Sequence, residues 1–325
     1  MNCLCCGKPI SENASAEELR MSWHSSCVRS FFGTRTLPFI DLSEELLEKL
    51  AEQSVNRGLT VPGVQKKISL HLTQGDQPRL TLIDYPAGYI LKPQTEEYEQ
   101  LPEAEYLTMR MAERCGISAV PFAMITLGKP EQNAYITKRI DRRIQPASKR
   151  PVQKFAMEDF CQLDNRSSLD KYRGSYERCG KIIKHYSCRE GLDISEFFAR
   201  LVFSFIVGNS DMHLKNFSLI ETEPGSGDYV LSPAYDMLPV NIILPEDKDE
   251  TALTLNGKKM HLRRNDFLAL AENLEITRKA ALNLIDHCLA FEDTFIELCE
   301  DSRLSETRKA ALAELIAERA RILKG

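Results

Sequence analysis

Apolar and polar residues alternate in five short stretches of the first half of the chain, a pattern that predicts β-strands with one buried face. A Gly-Asp turn at 75–76 separates the first two stretches. Between the third and fourth, apolar positions at helical spacing from Glu103 to Cys115 predict an amphipathic helix. The five predicted strands are Ile68–Leu72, Leu80–Ile83, Tyr89–Pro93, Val120–Thr126 and Ala134–Ile140.

The second half of the chain changes to apolar positions three and four residues apart, which predicts helices. The first helix is predicted to begin at Met157, and a long buried one ends at Gly208. One hairpin, Phe217–Ile220 with Tyr229–Leu231, interrupts the helical pattern. Three further amphipathic helices are predicted at Arg264–Leu270, Thr277–Glu292 and Glu306–Leu323.

Composition narrows the class of protein. The chain has 325 residues, 43% of them hydrophobic, so it can bury the cores of two or three packed units. Its formal net charge of −5 argues against a nucleic-acid binder that uses a broad basic surface. No apolar run is long enough to span a membrane, and the N-terminus lacks a signal-peptide pattern, so we expect a cytoplasmic protein. Six scattered cysteines are predicted to be reduced and mostly buried: Cys115, Cys161, Cys179, Cys188, Cys288 and Cys299.

The N-terminus carries paired metal-ligand residues. Cys3 and Cys6 form one Cys-x-x-Cys pair, and His24 and Cys27 form a second pair farther along. Two such pairs that flank a loop are typical of a tetrahedral Zn²⁺ site with a structural role. Cys5 is a third thiol in the first pair, so the identity of the ligands there stays open, and free thiols near the terminus are the alternative.

One polar loop carries the strongest functional pattern. Asp211 and Asn216 stand at the Asp-x-x-x-x-Asn spacing of a kinase catalytic loop, in which the Asp takes the proton of the acceptor hydroxyl and the Asn holds Mg²⁺. Asp236 follows the predicted hairpin and supplies a second acidic ligand. Taken alone, the spacing also fits a plain polar turn after a buried helix. The order of loop, hairpin and Asp favours phosphoryl transfer.

The predicted sheet supplies residues suited to binding nucleotide phosphates. A Gly-containing loop at 58–67 precedes the first strand, and the third strand ends on Lys92. A loop of this kind can place backbone N–H groups over phosphates, with a strand lysine nearby. Glu103 and Glu105 open the following helix, which places a carboxylate where it could pair with Lys92, and Glu105 is the predicted partner. The alternative for Glu103 and Glu105 is an ordinary acidic first turn of a helix.

Taken together, these motifs resemble the HipA family of toxin serine/threonine kinases from bacterial toxin–antitoxin systems. The resemblance implies an α+β, two-lobed kinase fold, with a sheet lobe at 46–141 and a helical lobe at 142–325. The zinc knuckle predicted from the Cys and His spacing precedes these lobes, with its connection, at residues 1–45. It also implies Asp211 as the base with His213 beside it, although a neutral packing role for His213 is the alternative. Asn216 and Asp236 would then hold Mg²⁺, and the implied ATP contacts are Gly63, Gln65, Lys67, Lys92, Lys138, Ile140 and Asp141. The motifs that carry the resemblance are Gly63-x-Gln65-x-Lys67, Leu91-Lys92-Pro93, Glu105-Tyr106-Leu107, Arg139-Ile140-Asp141-Arg142, Glu158-Asp159-Phe160-Cys161-Gln162, Gly208-Asn209-x-Asp211-x-His213-x-Lys215-Asn216 and Tyr235-Asp236.

The same resemblance implies partners and regulation. The Gly loop begins soon after the knuckle, which resembles the short-toxin branch of the family. In that branch a small separate protein and a helix-turn-helix antitoxin accompany the toxin, and DNA is reached only through the antitoxin. A protein substrate such as an aminoacyl-tRNA synthetase is implied, as is autophosphorylation at Thr60 in the Gly loop. The motif at Asp236 lacks the Gly that follows in ordinary kinases, so a mobile Asp-Phe-Gly switch is not assumed.

Two other functions remain open at this level. A small-molecule phosphotransferase could use the same scaffold, because a fold does not determine the acceptor. The non-enzymatic alternative is a nucleotide-binding regulator that bridges an antitoxin and DNA. The presence of Lys92, Asp211, Asn216 and Asp236 together disfavours this regulator, because simple binding does not require all four.

Overall fold

A computed structural model describes residues 1–40, 67–73, 78–81, 88–128, 132–144 and 152–325. The described residues form two compact units. The first is drawn from Met1–Tyr106 and Val120–Val152, and the second from Leu107–Ala119 and Gln153–Gly325. Helix α3, Leu101–Arg114, runs from the first unit into the second. Across the described ranges, no helix is both long and apolar enough to cross a membrane.

A six-stranded sheet forms the centre of the first unit, in the order β1-β3-β2-β4-β6-β5. Neighbouring strands are antiparallel except β1 and β3, which are parallel. Two short helices, α1 (Ala16–Met21) and α2 (Ser25–Phe32), precede the sheet. The strands are β1 Phe39–Ile40, β2 Ile68–Leu72, β3 Arg79–Thr81, β4 Tyr89–Pro93, β5 Phe122–Leu127 and β6 Gln132–Lys138.

The N-terminal segment is part of the core of this unit. Trp23 and Phe32 are buried with their rings packed together, and the Phe32 ring also packs against Tyr89 of β4, with centroids 5.4 Å apart. The backbone N–H of Met124 in edge strand β5 donates to the carbonyl of Leu4 at 2.8 Å. An edge strand exposes unpaired backbone groups, so this contact covers part of the β5 edge.

The second unit combines helices with a small sheet, in the strand order β11-β10-β9. The predicted hairpin is present as β10 (Ser218–Glu221) and β11 (Tyr229–Leu231). Two short strands, β7 (Arg142–Ile144) and β8 (Val152–Lys154), precede β9 (Met157–Asp159). The helices are α4 Phe160–Leu163, α5 Tyr176–Tyr186, α6 Glu190–Ile206, α7 Val240–Ile243, α8 Arg264–Asn273, α9 Arg278–Leu289, α10 Glu292–Glu300 and α11 Glu306–Lys324.

Two sequence expectations are corrected in detail. The helix predicted to begin at Met157 begins at Phe160, because residues 157–159 pair with β10 and Asp159 caps the helix through Gln162. The single helix predicted across Thr277–Glu292 ends at Leu289, and a new helix follows from Glu292.

Candidate active site

The candidate catalytic loop begins where helix α6 ends, at a glycine that no other residue replaces easily. Gly208 has a φ of +70°, in the left-handed region that favours glycine. A Cβ at this position would also collide with the side chain of Leu315 in helix α11. The chain can therefore turn sharply out of the helix and place the following polar residues beside it.

The far end of the loop is anchored by aromatic packing. Phe217 is fully buried among Phe160, Tyr176 and Phe197, and its ring centroid lies 5.0 Å from that of Phe197. Tyr176 also donates from its hydroxyl to the Met212 carbonyl at 3.1 Å. Both ends of the loop are thus held by the core of the second unit, which gives the polar side chains between them a defined position.

Inside the loop, the two residues of the Asp-x-x-x-x-Asn spacing are joined directly. Asn216 Nδ2 donates to the backbone carbonyl of Asp211 at 2.7 Å. This bond uses the amide nitrogen of Asn216 and leaves its amide oxygen available to a metal ion. Asp211 is half-buried, so part of this residue reaches solvent. An amide oxygen and carboxylates are ligands that Mg²⁺ accepts, so the donor set fits this ion.

Asp236 is tied to the same loop through its neighbour. Tyr235 donates from its hydroxyl to the Lys215 carbonyl at 3.1 Å and is also hydrogen-bonded to Ser218. Asp236 itself has a φ of +56°, an uncommon value for a residue other than glycine. Such backbone strain often accompanies functional sites, because surrounding contacts must hold it. The structure therefore brings Asp211, Asn216 and Asp236 into one region of the second unit.

His213 is buried near these acidic groups. Burial lowers the pKa of its imidazole, and the charges of Asp211 and Asp236 only partly oppose that fall. Among the described residues, no hydrogen-bond partner is found for its Nδ1. Its ring meets that of Tyr172 edge to face, with centroids 5.0 Å apart. These features describe a neutral imidazole at pH 7, packed beside Asp211.

The first unit brings together the lysine and the acid predicted to pair. Lys92 Nζ donates to Glu105 Oε1, and both side chains are buried, with exposures of 3% and 0%. The same Nζ lies 5.2 Å from the centroid of the Tyr135 ring. Glu103 has a different contact, because its carboxylate accepts a hydrogen bond from Asn133. The buried pair fixes the direction of the Lys92 side chain.

The predicted hinge residues occupy a separate set of contacts. Arg139 and Arg142 both donate to the Asp141 carboxylate, with the shortest bond 2.7 Å. Burial alone would raise the pKa of Asp141, but these two arginines lower it to about 2. Lys138 Nζ donates to the Ser30 carbonyl at 3.2 Å. Ile140 is half-buried after β6.

The Gly loop falls mostly outside the described residues. Thr60, Gly63 and Gln65 lie in the undescribed range, so their predicted roles stay predictions. Lys67, just before β2, is described and exposed.

The motif order and this geometry agree with a comparison against known protein families. The model described as "HipA-like C-terminal domain" matches residues 59–295. This chain belongs to the HipA-like family. It is 32% identical over 239 residues to a protein of Sinorhizobium fredii provisionally named kinase Y4dM, covering 69% of this chain and 56% of the relative. It is 26% identical over 201 residues to the serine/threonine-protein kinase toxin HipA of Shewanella oneidensis, covering 57% of this chain and 44% of the relative. The HipA-like chain therefore spans only about half the length of these relatives.

Solved structures show the same kinase-like fold. The Shewanella oneidensis HipA chain, from a complex with HipB and operator DNA, superposes with a TM-score of 0.69 at 20% identity, covering 84% of this chain and 71% of that one. The Helicobacter pylori proinflammatory kinase CtkA superposes with a TM-score of 0.51 at 14% identity, covering 78% of this chain and 90% of that one.

A possible metal cluster precedes the region that the HipA-like family model matches. One ligand atom from each of Cys3, Cys6, His24 and Cys27 lies within 4.8 Å of all the others. His24 Nδ1 is 3.4 Å from Cys6 Sγ and 3.8 Å from Cys27 Sγ. Ligands of a tetrahedral Zn²⁺ ion, at about 2.1–2.3 Å from the metal, are separated by about 3.5–3.8 Å. The distances therefore fit zinc.

The surroundings of the cluster also fit a metal. His24 Nε2 lies 3.2 Å from the Pro9 carbonyl, the kind of contact that orients a ligating histidine so that its other nitrogen faces the ion. The His24 backbone N–H points at Cys3 Sγ at 3.4 Å. Cys5 is not part of the cluster, and its backbone carbonyl accepts a hydrogen bond from Tyr106. The geometry thus selects Cys3 and Cys6 from the three neighbouring thiols.

Sequence reasoning missed several residues that shape the site. Tyr172 donates from its hydroxyl to Asp211 Oδ1 at 2.7 Å. Lys215 Nζ donates to Asp159 at 2.6 Å, which ties the loop to the cap of helix α4. Lys215 and Asp159 both belong to motifs of the family resemblance, so their pairing could have been proposed. Tyr172 lies outside every such motif, and no spacing singles it out.

Proposed function

We propose that this HipA-like chain is an ATP-dependent serine/threonine protein kinase. The observation that carries the proposal is the hydrogen-bonded pair of Asp211 and Asn216 on a loop anchored at both ends, with Asp236 held near that loop through Tyr235. The buried Lys92–Glu105 pair supports it, because kinases use such a pair to orient a phosphate-binding lysine. Serine/threonine specificity is named for the HipA relative of Shewanella oneidensis.

The residues divide the chemistry between them. Asp211 orients the acceptor hydroxyl and accepts its proton as the new P–O bond forms. Asn216 and Asp236 would hold Mg²⁺, and Lys92 would hold phosphate oxygens. When bound, Mg²⁺–ATP supplies the γ-phosphoryl group and ADP as the leaving group. His213, neutral and buried, supports Asp211 by packing and takes no proton at pH 7.

The acceptor class is tested by following the label from γ-³²P-ATP in a bacterial lysate. We expect label in proteins, recovered as phosphoserine or phosphothreonine after acid hydrolysis, and no such label with Asp211→Gln. The Asp211→Gln protein should still bind Mg²⁺–ATP. Label confined to small molecules would instead indicate a small-molecule phosphotransferase.

We further propose that the chain is the toxin of a toxin–antitoxin pair. The related HipA structure is a complex with HipB and operator DNA, which supports an antitoxin partner and DNA contact through that partner. An aminoacyl-tRNA synthetase is the proposed substrate class. Expression of the wild-type chain should then arrest growth, and the Asp211→Gln variant should not. Equal growth arrest by both proteins would contradict a kinase-dependent toxin.

Autophosphorylation at Thr60 is the proposed regulation. A phosphate there would place about −1.5 to −2 charges where ATP phosphates bind. Thr60→Ala should therefore lose self-labelling while keeping ATP binding. Full self-labelling of that variant at another residue would refute the assignment.

We also propose that the N-terminal cluster holds a structural Zn²⁺. With three thiolates and one imidazole the ion has no open position, so it takes no part in phosphoryl transfer.

A further inference from the structure

The carboxylate of Asp211, proposed as the catalytic base, already accepts a hydrogen bond from a tyrosine hydroxyl. Tyr172 follows a 3₁₀ turn at Ser168–Asp170, and its phenol donates to Asp211 Oδ1 at 2.7 Å. Among the hydrogen bonds of the described residues, this is the one that reaches the Asp211 carboxylate from a side chain. A kinase acceptor must present its own hydroxyl to this carboxylate before transfer.

Tyr172 differs from the tyrosines that support the loop. Tyr176 is buried and Tyr235 is half-buried, and the hydroxyls of both donate to loop carbonyls. The Tyr172 side chain is 45% exposed, and it contacts the edge of His213 and the ammonium group of Lys171. An exposed aromatic side chain with few packing contacts can rotate at low cost.

The backbone beside Tyr172 is held more firmly than its side chain. The Lys171 carbonyl accepts a hydrogen bond from the Leu214 N–H at 3.1 Å, which fixes the segment next to the catalytic loop. Movement of the Tyr172 side chain therefore suffices to expose Asp211, with no change in the loop.

We propose that Tyr172 acts as a reversible cover of the acceptor position: its hydroxyl holds the Asp211 carboxylate until an acceptor hydroxyl displaces it. The inference rests on the proposed kinase function. If only a fraction of molecules has Asp211 uncovered, the apparent KM for the acceptor rises by the inverse of that fraction. The binding of ATP, which does not use this hydrogen bond, is unaffected.

The test compares Tyr172→Phe with the wild type, using dephosphorylated casein and γ-³²P-ATP. The variant keeps the ring and loses the hydroxyl. The KM for casein should therefore fall about 3- to 10-fold, a factor that corresponds to one modest hydrogen bond, and kcat should stay the same. The KM for ATP should stay the same. Self-labelling, measured in the same reactions, should start faster by a similar factor.

Tyr186→Phe is the matched control, because Tyr186 is 43% exposed on the same unit and contacts His185 rather than Asp211. It should match the wild type. An unchanged KM for casein in Tyr172→Phe would overturn the proposal. If kcat were also lower at that unchanged KM, Tyr172 would instead be a positioning residue. Phosphate mapped to Tyr172 would also overturn it. A wild-type protein that labels neither casein nor itself would refute the kinase function itself.

Discussion

At the scale of single residues, the Lys92–Glu105 pair offers a sharp test of buried charge. Replacing Lys92 with Met removes the cation from a carboxylate that is fully buried. We expect the free energy of unfolding to fall by about 3–5 kcal/mol. The double variant Lys92→Met with Glu105→Gln should recover part of that loss, because the remaining group is uncharged. Urea denaturation of the three proteins measures this, and equal losses in the single and double variants would contradict it.

His213 gives a prediction about pH. Burial lowers the pKa of its imidazole in the folded protein, whereas the unfolded chain has an ordinary value of about 6.5. As the pH falls through about 6.5, the unfolded state gains a proton that the folded state does not, so His213 reduces stability in acid. His213→Gln should therefore lose less stability than the wild type between pH 7 and pH 5. Stability is measured by thermal unfolding at each pH. If the stabilities of the two proteins change in parallel with pH, His213 is charged in the folded protein as well.

The residues that were predictable and those that were not differ in a physical way. Asp211 and Asn216 could be proposed because a catalytic loop places these side chains at a fixed spacing, and Asp236 because it follows the hairpin after that loop. The choice of Glu105 as the partner of Lys92 followed from the family resemblance, because the helical pattern alone left Glu103 and Glu105 both open. Tyr172 could not be found, because its contact with Asp211 joins residues far apart in sequence and depends on the packing of an irregular segment.

At the scale of elements, the turn after helix α6 determines where the loop starts. In Gly208→Ala, the alanine would have to keep a φ of +70°, and its Cβ would collide with the Leu315 side chain. Gly225→Ala is the matched control, since its φ is +80° and an added Cβ meets nothing within 4 Å. The control should lose about 1–2 kcal/mol of stability from backbone strain alone. Gly208→Ala should lose about 1–3 kcal/mol more from overpacking. Equal losses in urea denaturation would mean that Leu315 moves aside freely.

The N-terminal knuckle can be tested through the only tryptophan of the chain. Trp23 is 1% exposed, lies in the core of the first unit and directly precedes the proposed ligand His24. Removal of the metal by a chelator should loosen this core and shift the Trp23 fluorescence to longer wavelength.

Cys27→Ser should lose zinc, measured by elemental analysis, whereas Cys5→Ser should keep one ion per chain. Loss of zinc from Cys5→Ser with retention in Cys27→Ser would refute the ligand set.

Strands and helices were predictable where the hydrophobic period was clear. The strands at Ile68–Leu72 and Tyr89–Pro93 have the predicted bounds. The start of helix α4 was missed because residues 157–159 are too few to show alternation, although the capping pair of Asp159 and Gln162 marks the correct position. Strand β1 has only two residues and pairs with a strand distant in sequence, so no local pattern indicates it.

At the scale of the whole molecule, the two groups of candidate residues lie in different compact units. The first carries the Lys92–Glu105 pair and the cysteine cluster, and the second carries Asp211, Asn216 and Asp236. The HipA-like match covers residues 59–295, so the cysteine cluster is an addition to the region that defines the family. Leu4, next to Cys3, accepts a backbone hydrogen bond from Met124 of β5, which indicates a role of this segment in stabilising the sheet.

The central claim is that the loop around Asp211 performs phosphoryl transfer. Its most direct test is intact-mass analysis of the wild type and of Asp211→Gln, before and after incubation with Mg²⁺–ATP. We predict a gain of one phosphoryl group in the wild type, mapped to Thr60 in the Gly loop, and no gain in the variant. An equal gain in both proteins would remove Asp211 from the mechanism. No gain in either protein, with ATP bound by both, would contradict the proposed self-phosphorylating kinase.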